Sequence, residues 1–550
     1  MFFIIMRQIS ASSRNYKNHF FNKTDVIKIH FAIFILIKIT LMNALQEISN
    51  MMNETDKKAF IQYLSKKNKR KDAENIALFN SLKTDDINIR KKVFEDKKST
   101  DAYHALRKRL YNNMINFMAN RSFENDTSQE NTILRLIVVS RLFFEHKLIK
   151  TAFKCLAKAE EIALNIEQFS LLNEIYLTQI QFAHFNLSAP IEKMIEKFKA
   201  NKKKLEYEEQ LNLGYAVLRR ELAAIYHEGR ITDFQSLIKN TIETHSISLK
   251  QGLTFKSLYQ ILFIANEYAS INNNYSLIEP FVVKSYRFIS KKTDITDRHL
   301  YYHIYILYFI ANFYFRNAQF TESLHYLDLM YAELQKQSGK YYQRFCLRYF
   351  LLLAFNENYT GHAQKAIEIA EKALSSNKKA DPMDSNDLRL VLIVFYVQQN
   401  EGRNAVIEMA KLNHTDSWYE KKMGMDWTIK KCLVEILLHV QQENTELALS
   451  RIKSFKRRYK KYLLTVKEQR VIQYLLFVEQ YVMKPEIIQT QKFQKAIEDF
   501  IITAQNGPKD IVIMSFLAWL LAKVRRKTIY ETTLILLSTY FLLRIKINNS

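Results

Sequence analysis

Cysteine and histidine are the side chains whose spacing would most directly indicate catalysis or metal binding in this chain. The cysteines, Cys155, Cys346 and Cys432, stand far apart in the sequence. This spacing is not that of a metal site, and it disfavours a disulfide framework. Because free cysteine is usually buried, we expect inert thiols in a reducing cytoplasm. A reactive or metal-binding thiol is the alternative that the sequence leaves open.

The histidines and glycines also lack the groupings that chemistry needs. Four histidines each stand alone on a helical pattern, without a paired-histidine metal motif or a nearby nucleophile: His227, His303, His325 and His439. Such single histidines usually have a structural role. The 8 glycines stand alone, although a phosphate-binding loop needs several close together. We therefore predict a protein that is not an enzyme, with no catalytic residues, no cofactor and no metal.

Helices must position any functional residues, because little in the chain interrupts a helix. Among 550 residues there are only 8 glycines and 5 prolines, and 48% of the residues are apolar. Apolar residues recur at intervals of three and four, which is typical of amphipathic helices. A single core stops growing at roughly 250–300 residues, whereas stacked helix pairs contact only their neighbours. The sequence therefore predicts an all-α fold built as a solenoid.

The clearest unit of the predicted solenoid lies between His303 and Met330. Small residues at Ala311 and Ser323 would allow two antiparallel helices to approach closely, while larger side chains fill the space between them. Second-helix anchors of this kind recur at intervals of 43, 39 and 43 residues (366−323, 405−366 and 448−405): Ser323, Ala366, Ala405 and Ala448. The spacing predicts successive helix pairs of unequal length.

This unit resembles a tetratricopeptide repeat, a family with small residues at the corresponding positions of both helices. Ala318 stands where that family usually has glycine, no proline ends the unit, and the intervals exceed the roughly 34 residues of a regular repeat. The resemblance implies a right-handed α-solenoid of antiparallel helix pairs, here with irregular units. With its stretch from Asp101 to Asn120, the chain is similar to an uncharacterised bacterial group that begins with a short lysine-rich helical module.

The family resemblance further implies a concave groove, lined by first helices, in which a protein or peptide partner binds. Residues spaced four, three and four apart share one helix face in the clearest unit: Tyr305, Phe309, Asn312 and Arg316. Asn312 and Arg316 would hold a partner's backbone or carboxylate, and the aromatic rings would add apolar contact. The alternative is that Tyr305 and Phe309 pack against the next repeat and that Arg316 is a solvated cation. The expected function is a non-enzymatic scaffold or adaptor.

The formal net charge of +25 supports a second hypothesis. Positive charge attracts nucleic acid, but an AT-rich genome also enriches lysine, and the basic residues are spread along the chain. Residues 42–125 form a predicted basic helical module, in which Arg107, Lys108 and Arg109 interrupt an apolar stripe on its exposed sides. A short helix near Arg90 to Phe94 would complete a helix-turn-helix. The alternative function is therefore a nucleic-acid-associated regulator, and a plain capping module is the other interpretation of these residues.

The first forty residues differ from those that follow. The apolar run from Phe31 to Ile37 is shorter than the roughly 20 apolar residues of a membrane-spanning helix, and it lacks most features of a secretory signal. We expect residues 1–41 to be translated upstream sequence before an initiator at Met42, with a weak signal or membrane anchor as the alternative.

Residues 126–545 form the predicted solenoid, which ends in a packed helix from Thr532 to Leu543. We expect no stable membrane span and a cytoplasmic protein, or one that is membrane-associated through the N-terminal run.

Overall fold

The computed structural model describes most of the chain after residue 43. The described ranges are 44–52, 54–67, 73–82, 100–125, 128–185, 190–230, 232–248, 253–272, 274–291, 297–466, 468–505 and 514–548. Residues 1–41 and the short helix expected near Arg90 to Phe94 lie outside these ranges. The chain divides into two compact units, of which the first ends at Val139 and the second begins at Ser140. Every regular element in the described ranges is helical, so the prediction of an all-α fold is confirmed there.

The N-terminal unit is a group of helices around one apolar core. Its helices are α1 (44–51), α2 (Glu54–Lys67), α3 (Ala73–Ser81) and α4 (Thr100–Asn125), and α5 (Gln129–Glu145) begins within it. The apolar stripe of α4 is buried and consists of Tyr103, Leu106, Leu110, Met114 and Phe117. It packs with side chains of α2 and α3, where the rings of Phe60 and Phe79 lie 4.8 Å apart. The three- and four-residue spacing of the sequence therefore identified this core.

The prediction that Arg107 lies on an exposed side of α4 is wrong. Its side chain is buried, and its guanidinium lies 5.7 Å from the centre of the Tyr103 ring. Arg107 follows Tyr103 by four residues and precedes Leu110 by three, so it shares the buried stripe. Its long alkyl chain makes such a position tolerable for arginine. Lys108 and Arg109 are exposed, as expected.

The C-terminal unit is a succession of helices in which neighbours along the chain pack together. After α5 its helices are α6 (Ile149–Asn165), α7 (Phe169–Gln181), α8 (Ile191–Glu228), α9 (Phe234–Thr244), α10 (Phe255–Ile271), α11 (Glu279–Ser290), α12 (Leu300–Arg316), α13 (Phe320–Gly339), α14 (Tyr342–Tyr359), α15 (Ala363–Ser376), α16 (Pro382–Gln398), α17 (Gly402–Ala410), α18 (Asp416–Lys422), α19 (Met425–Gln441), α20 (Thr445–Thr465), α21 (Gln469–Met483), α22 (Gln491–Gln505), α23 (Met514–Arg525) and α24 (Ile529–Asn548). Close packing joins α12 with α13, α14 with α15, and α16 with α17. We call α10, α12, α14, α16 and α19 the first helices, since each also packs against the next of these five.

Turns of the same conformation join the two helices within each of several successive pairs. Its central residue has a positive φ in each case: 58° at Ala318, 100° at Gly361, 61° at Asn400 and 57° at Glu443. The N–H of the following residue donates to a carbonyl five residues earlier, at 2.8 Å from Gln319 to Tyr314. These turn residues are 43, 39 and 43 apart (361−318, 400−361 and 443−400), the intervals that the second-helix anchors predict. Ala318 thus adopts the left-handed conformation that glycine usually supplies.

The small residues expected between paired helices are buried. All four predicted anchors are fully buried: Ser323, Ala366, Ala405 and Ala448. The Ser323 hydroxyl donates to the Ala311 carbonyl at 2.9 Å and accepts a hydrogen bond from Asn356 at 3.0 Å. This anchor therefore joins its own pair to the next first helix. The pairs are irregular, as expected, because α13 has 20 residues, α17 has 9, and α18 separates α17 from α19.

The last two helices pack back onto earlier parts of the C-terminal unit. Both α23 and α24 contact α16, and the Tyr530 hydroxyl donates to the carbonyl of Asn358 at 2.8 Å. Leu536 and Leu537 are buried, which confirms the predicted packed helix over this part of α24. Within the described ranges, no helix combines the length and the apolar character that crossing a membrane requires.

Candidate functional site

The aromatic residues predicted to line a groove are buried between first helices. Tyr305 and Phe309 lie on α12 with 7% and 5% of their surface exposed. The ring centre of Tyr305 lies 4.9 Å from that of Tyr259 in α10 and 4.6 Å from that of Phe345 in α14. Phe309 also packs on Tyr259, at 6.2 Å. These contacts are the packing role that the sequence left as the alternative, although they involve the preceding helix as well as the next one.

The two polar residues of the predicted site also contact neighbouring elements. The Asn312 amide is buried and donates to the side-chain oxygen of Asn266 in α10 at 2.9 Å. Arg316 is half-buried, and its guanidinium lies 5.2 Å from the centre of the Tyr275 ring. The structure therefore brings all four predicted residues to one region of α12, and a role for them in partner binding stays a prediction.

Arg348 in α14 joins three first helices and was not among the predicted residues. Its Nε donates to both carboxylate oxygens of Asp384 in α16, at 2.9 and 3.0 Å. Its Nη1 donates to the Tyr305 hydroxyl in α12 at 3.0 Å. Burial raises the pKa of Asp384 above its usual range, although the positive charge of Arg348 opposes that shift.

Arg344 lies one turn before Arg348 and is exposed. Its guanidinium lies 5.8 Å from the ring centre of Tyr301, just as that of Arg348 lies 5.6 Å from the ring of Tyr305. No carboxylate in the described ranges forms an ion pair with Arg344. The sequence does contain a signal for this arrangement, because the two arginines and the two tyrosines are each four residues apart. The Arg344 side chain also hydrogen-bonds to the side chains of Tyr301 and Tyr305, so Arg344 offers an exposed cation with part of its donors already engaged.

Two further groups on these helices are half-buried, Tyr308 on α12 and Asp387 on α16. Burial raises the pKa of Tyr308 to about 12. Burial is the main cause that raises the pKa of Asp387 to about 7, and the negative charge of Asp384 adds to this increase. Asp387 also accepts a hydrogen bond from the side chain of Trp427 in α19. We define the first-helix face as Tyr301, Tyr302, Tyr308, Arg344, Arg348 and Asp387.

The row of first helices is closed by the long helix α8. The hydroxyl of Tyr226, near the end of α8, donates to Glu267 in α10 at 2.6 Å. The carbonyl oxygen of the same residue lies beside Gly424, since a Cβ built on that glycine would be 3.3 Å from it. Gly424 directly precedes α19, and α8 contacts both α18 and α19. Because one residue meets α10 and the start of α19, the row from α10 to α19 curves back on itself.

The fold and these side chains define an all-helical, repeat-like protein with aromatic and charged residues on its first helices. No model of a known protein family matches the chain, and no characterised protein matches its sequence.

Proposed function

We propose that the chain is a non-enzymatic scaffold or adaptor that binds a protein partner in a groove lined by the first-helix face. In this proposal the helix pairs form a right-handed, tetratricopeptide-like solenoid, and a partner segment lies along the inner side of the curved row. The three free cysteines fit a reducing cytoplasm.

The observation that carries the proposal is the environment of Arg344. Its exposed guanidinium lies 5.8 Å from the ring centre of Tyr301 and hydrogen-bonds to the side chains of Tyr301 and Tyr305, yet it has no carboxylate partner in the described ranges. A guanidinium has five N–H donors, so donors remain beside these two hydrogen bonds that suit a carboxylate or a backbone carbonyl of a partner. Tyr302 and Tyr308, which are half-buried, would supply apolar contact beside it.

Affinity capture with matched variants tests this proposal. We expect a defined set of proteins to co-purify with the chain from cell extract, to survive nuclease treatment, and to be reduced several-fold by Arg344→Gln. Lys495→Gln on α22 is the control, because Lys495 is also exposed and has no ion pair in the described ranges. Equal recovery with both variants would contradict binding at the first-helix face.

The second candidate function is a nucleic-acid-associated regulator that uses the basic N-terminal module. Adjacent exposed cations at Lys108 and Arg109 favour it, although Arg107 is buried and is not available for such contact. This candidate predicts nucleic acid in the same capture experiment, lost as salt rises and reduced by the double change Lys108→Gln and Arg109→Gln. Nuclease-sensitive capture without a defined protein set would favour it over the scaffold.

A further inference from the structure

A pocket separate from the first-helix face lies where α18, α19 and α20 meet. Its volume is about 420 Å³, within the range of roughly 300–1,000 Å³ that is usual for small-molecule sites. Three guanidinium groups line it, those of Arg451, Arg457 and Arg458, against the single carboxylate of Asp416. The lining therefore has a net positive charge.

Two of these arginines are held in fixed positions by ion pairs. Arg458 donates from Nε and Nη2 to the two carboxylate oxygens of Glu420, at 2.6 and 2.8 Å. Arg451 donates to Glu435 and lies 3.8 Å from Asp416. Fixed donors lose little conformational freedom when a ligand binds, which favours affinity.

Donors remain available beside those ion pairs. The Arg457 side chain is exposed and forms no hydrogen bond or ion pair with the described part of the chain. The Nη1 group of Arg458 likewise donates to none of the described residues, because its two bonds to Glu420 use Nε and Nη2. Phe455 and Ile436, which are 3% and 1% exposed, form an apolar floor. An anionic group would meet the free N–H donors, and an uncharged part of the same molecule would contact the floor.

We propose that this pocket binds a small phosphorylated molecule, with phosphate oxygens on Arg457 and on Nη1 of Arg458. Phosphate suits the site because guanidinium groups bind it through paired hydrogen bonds and because the lining carries more positive than negative charge. A volume of about 420 Å³ suits a small ligand better than an extended polyanion. This proposal does not depend on partner binding at the first-helix face, which involves other helices.

Titration of the full chain with inorganic pyrophosphate, followed by calorimetry and by thermal unfolding, tests the proposal. We expect saturable binding, a melting temperature that rises with pyrophosphate concentration, and an affinity about tenfold lower or more in Arg457→Gln. Arg457 has no partner in the described ranges, so the variant is expected to melt at the wild-type temperature without ligand.

Lys460→Gln is the matched control, because Lys460 is an exposed cation on the same helix that does not line the pocket. We expect its affinity for pyrophosphate to stay within about twofold of the wild-type value. An equal loss in both variants would identify a diffuse basic face that attracts polyanions and would overturn the proposal. Absence of saturable binding at low salt would overturn it as well.

Discussion

Arg348 donates from one nitrogen to both carboxylate oxygens of Asp384, at 2.9 and 3.0 Å, and so links α14 to α16. The same guanidinium reaches the Tyr305 hydroxyl in α12 at 3.0 Å. One side chain thus fixes the spacing of three successive first helices. We therefore expect the stability of the curved row and the position of the first-helix face to depend on this contact.

Replacing Arg348 by leucine is expected to destabilise the C-terminal unit by about 3–5 kcal/mol, because the change leaves the buried Asp384 carboxylate without its cation. The free energy of unfolding from urea titration measures this loss. Arg344→Leu is the control, with an expected change below about 1 kcal/mol, since Arg344 is exposed and has no carboxylate partner in the described ranges. Equal losses in the two variants would show that the ion pair with Asp384 does not hold the helices together.

Asp387 is expected to lower the stability of the fold as the pH rises. Its pKa is about 7 in the folded chain, against roughly 3.9 for an unfolded aspartate. Between these values the folded state binds more protons than the unfolded state, so this residue's contribution to stability is complete at low pH and is lost as the pH rises towards about 7. Asp387→Asn should therefore raise the melting temperature relative to wild type more at about pH 8 than at about pH 5.

The control for this pH dependence is Asp328→Asn, because Asp328 is exposed on α13. The difference in melting temperature between that variant and the wild type should be nearly constant over the same pH range. A constant difference for Asp387→Asn as well would contradict the shifted pKa of Asp387.

Gly424 provides a test of the contact between α8 and the start of α19. Gly424→Ala and Gly361→Ala both place a side chain at a positive φ, 95° and 100° respectively, which costs about 1–2 kcal/mol. Only the alanine at position 424 meets a neighbour, the Tyr226 carbonyl at 3.3 Å, whereas nothing lies within 4 Å at position 361. We expect Gly424→Ala to be the more destabilising change in urea titration. If Gly361→Ala costs as much, α8 is not packed against this segment in solution.

The three thiols are expected to differ in reactivity. Burial raises the pKa of Cys346 to about 11 and that of Cys432 to about 12, so thiolate is scarce at both positions. Cys155 is half-buried on α6. A chromogenic disulfide reagent at about pH 8 should therefore modify one thiol per native chain quickly and the other two only after unfolding. Cys155→Ser should remove the fast phase, and a fast phase that survives in this variant would contradict the burial of the other two thiols.

The sequence predicted the repeat because close helix contacts require small residues at fixed intervals. Ala311 and Ser323 identified one pair, and the anchors that follow Ser323 gave the intervals at which the turns recur. Arg107 differs from the prediction because its spacing of four residues from Tyr103 places it in the buried stripe despite its charge.

The candidate site was harder to predict, since its contacts join residues on different helices. Arg348 precedes Asp384 by 36 residues (384−348), and Tyr226 precedes Gly424 by 198 (424−226). No local sequence pattern indicates contacts between residues that are so far apart in the chain. The predicted groove residues Tyr305 and Phe309 have a regular spacing, but spacing alone does not distinguish a ring that faces solvent from one that packs on the next helix.

Site-specific photo-crosslinking tests the central claim, that a protein partner binds along the first-helix face, most directly. A photoreactive phenylalanine analogue would replace either Tyr308 on this face or Tyr331, which is 41% exposed on the second helix α13 of the same pair. After irradiation in cell extract, the proposal predicts a discrete protein adduct from position 308 and none from position 331. The opposite pattern, an adduct from position 331 alone, would contradict it.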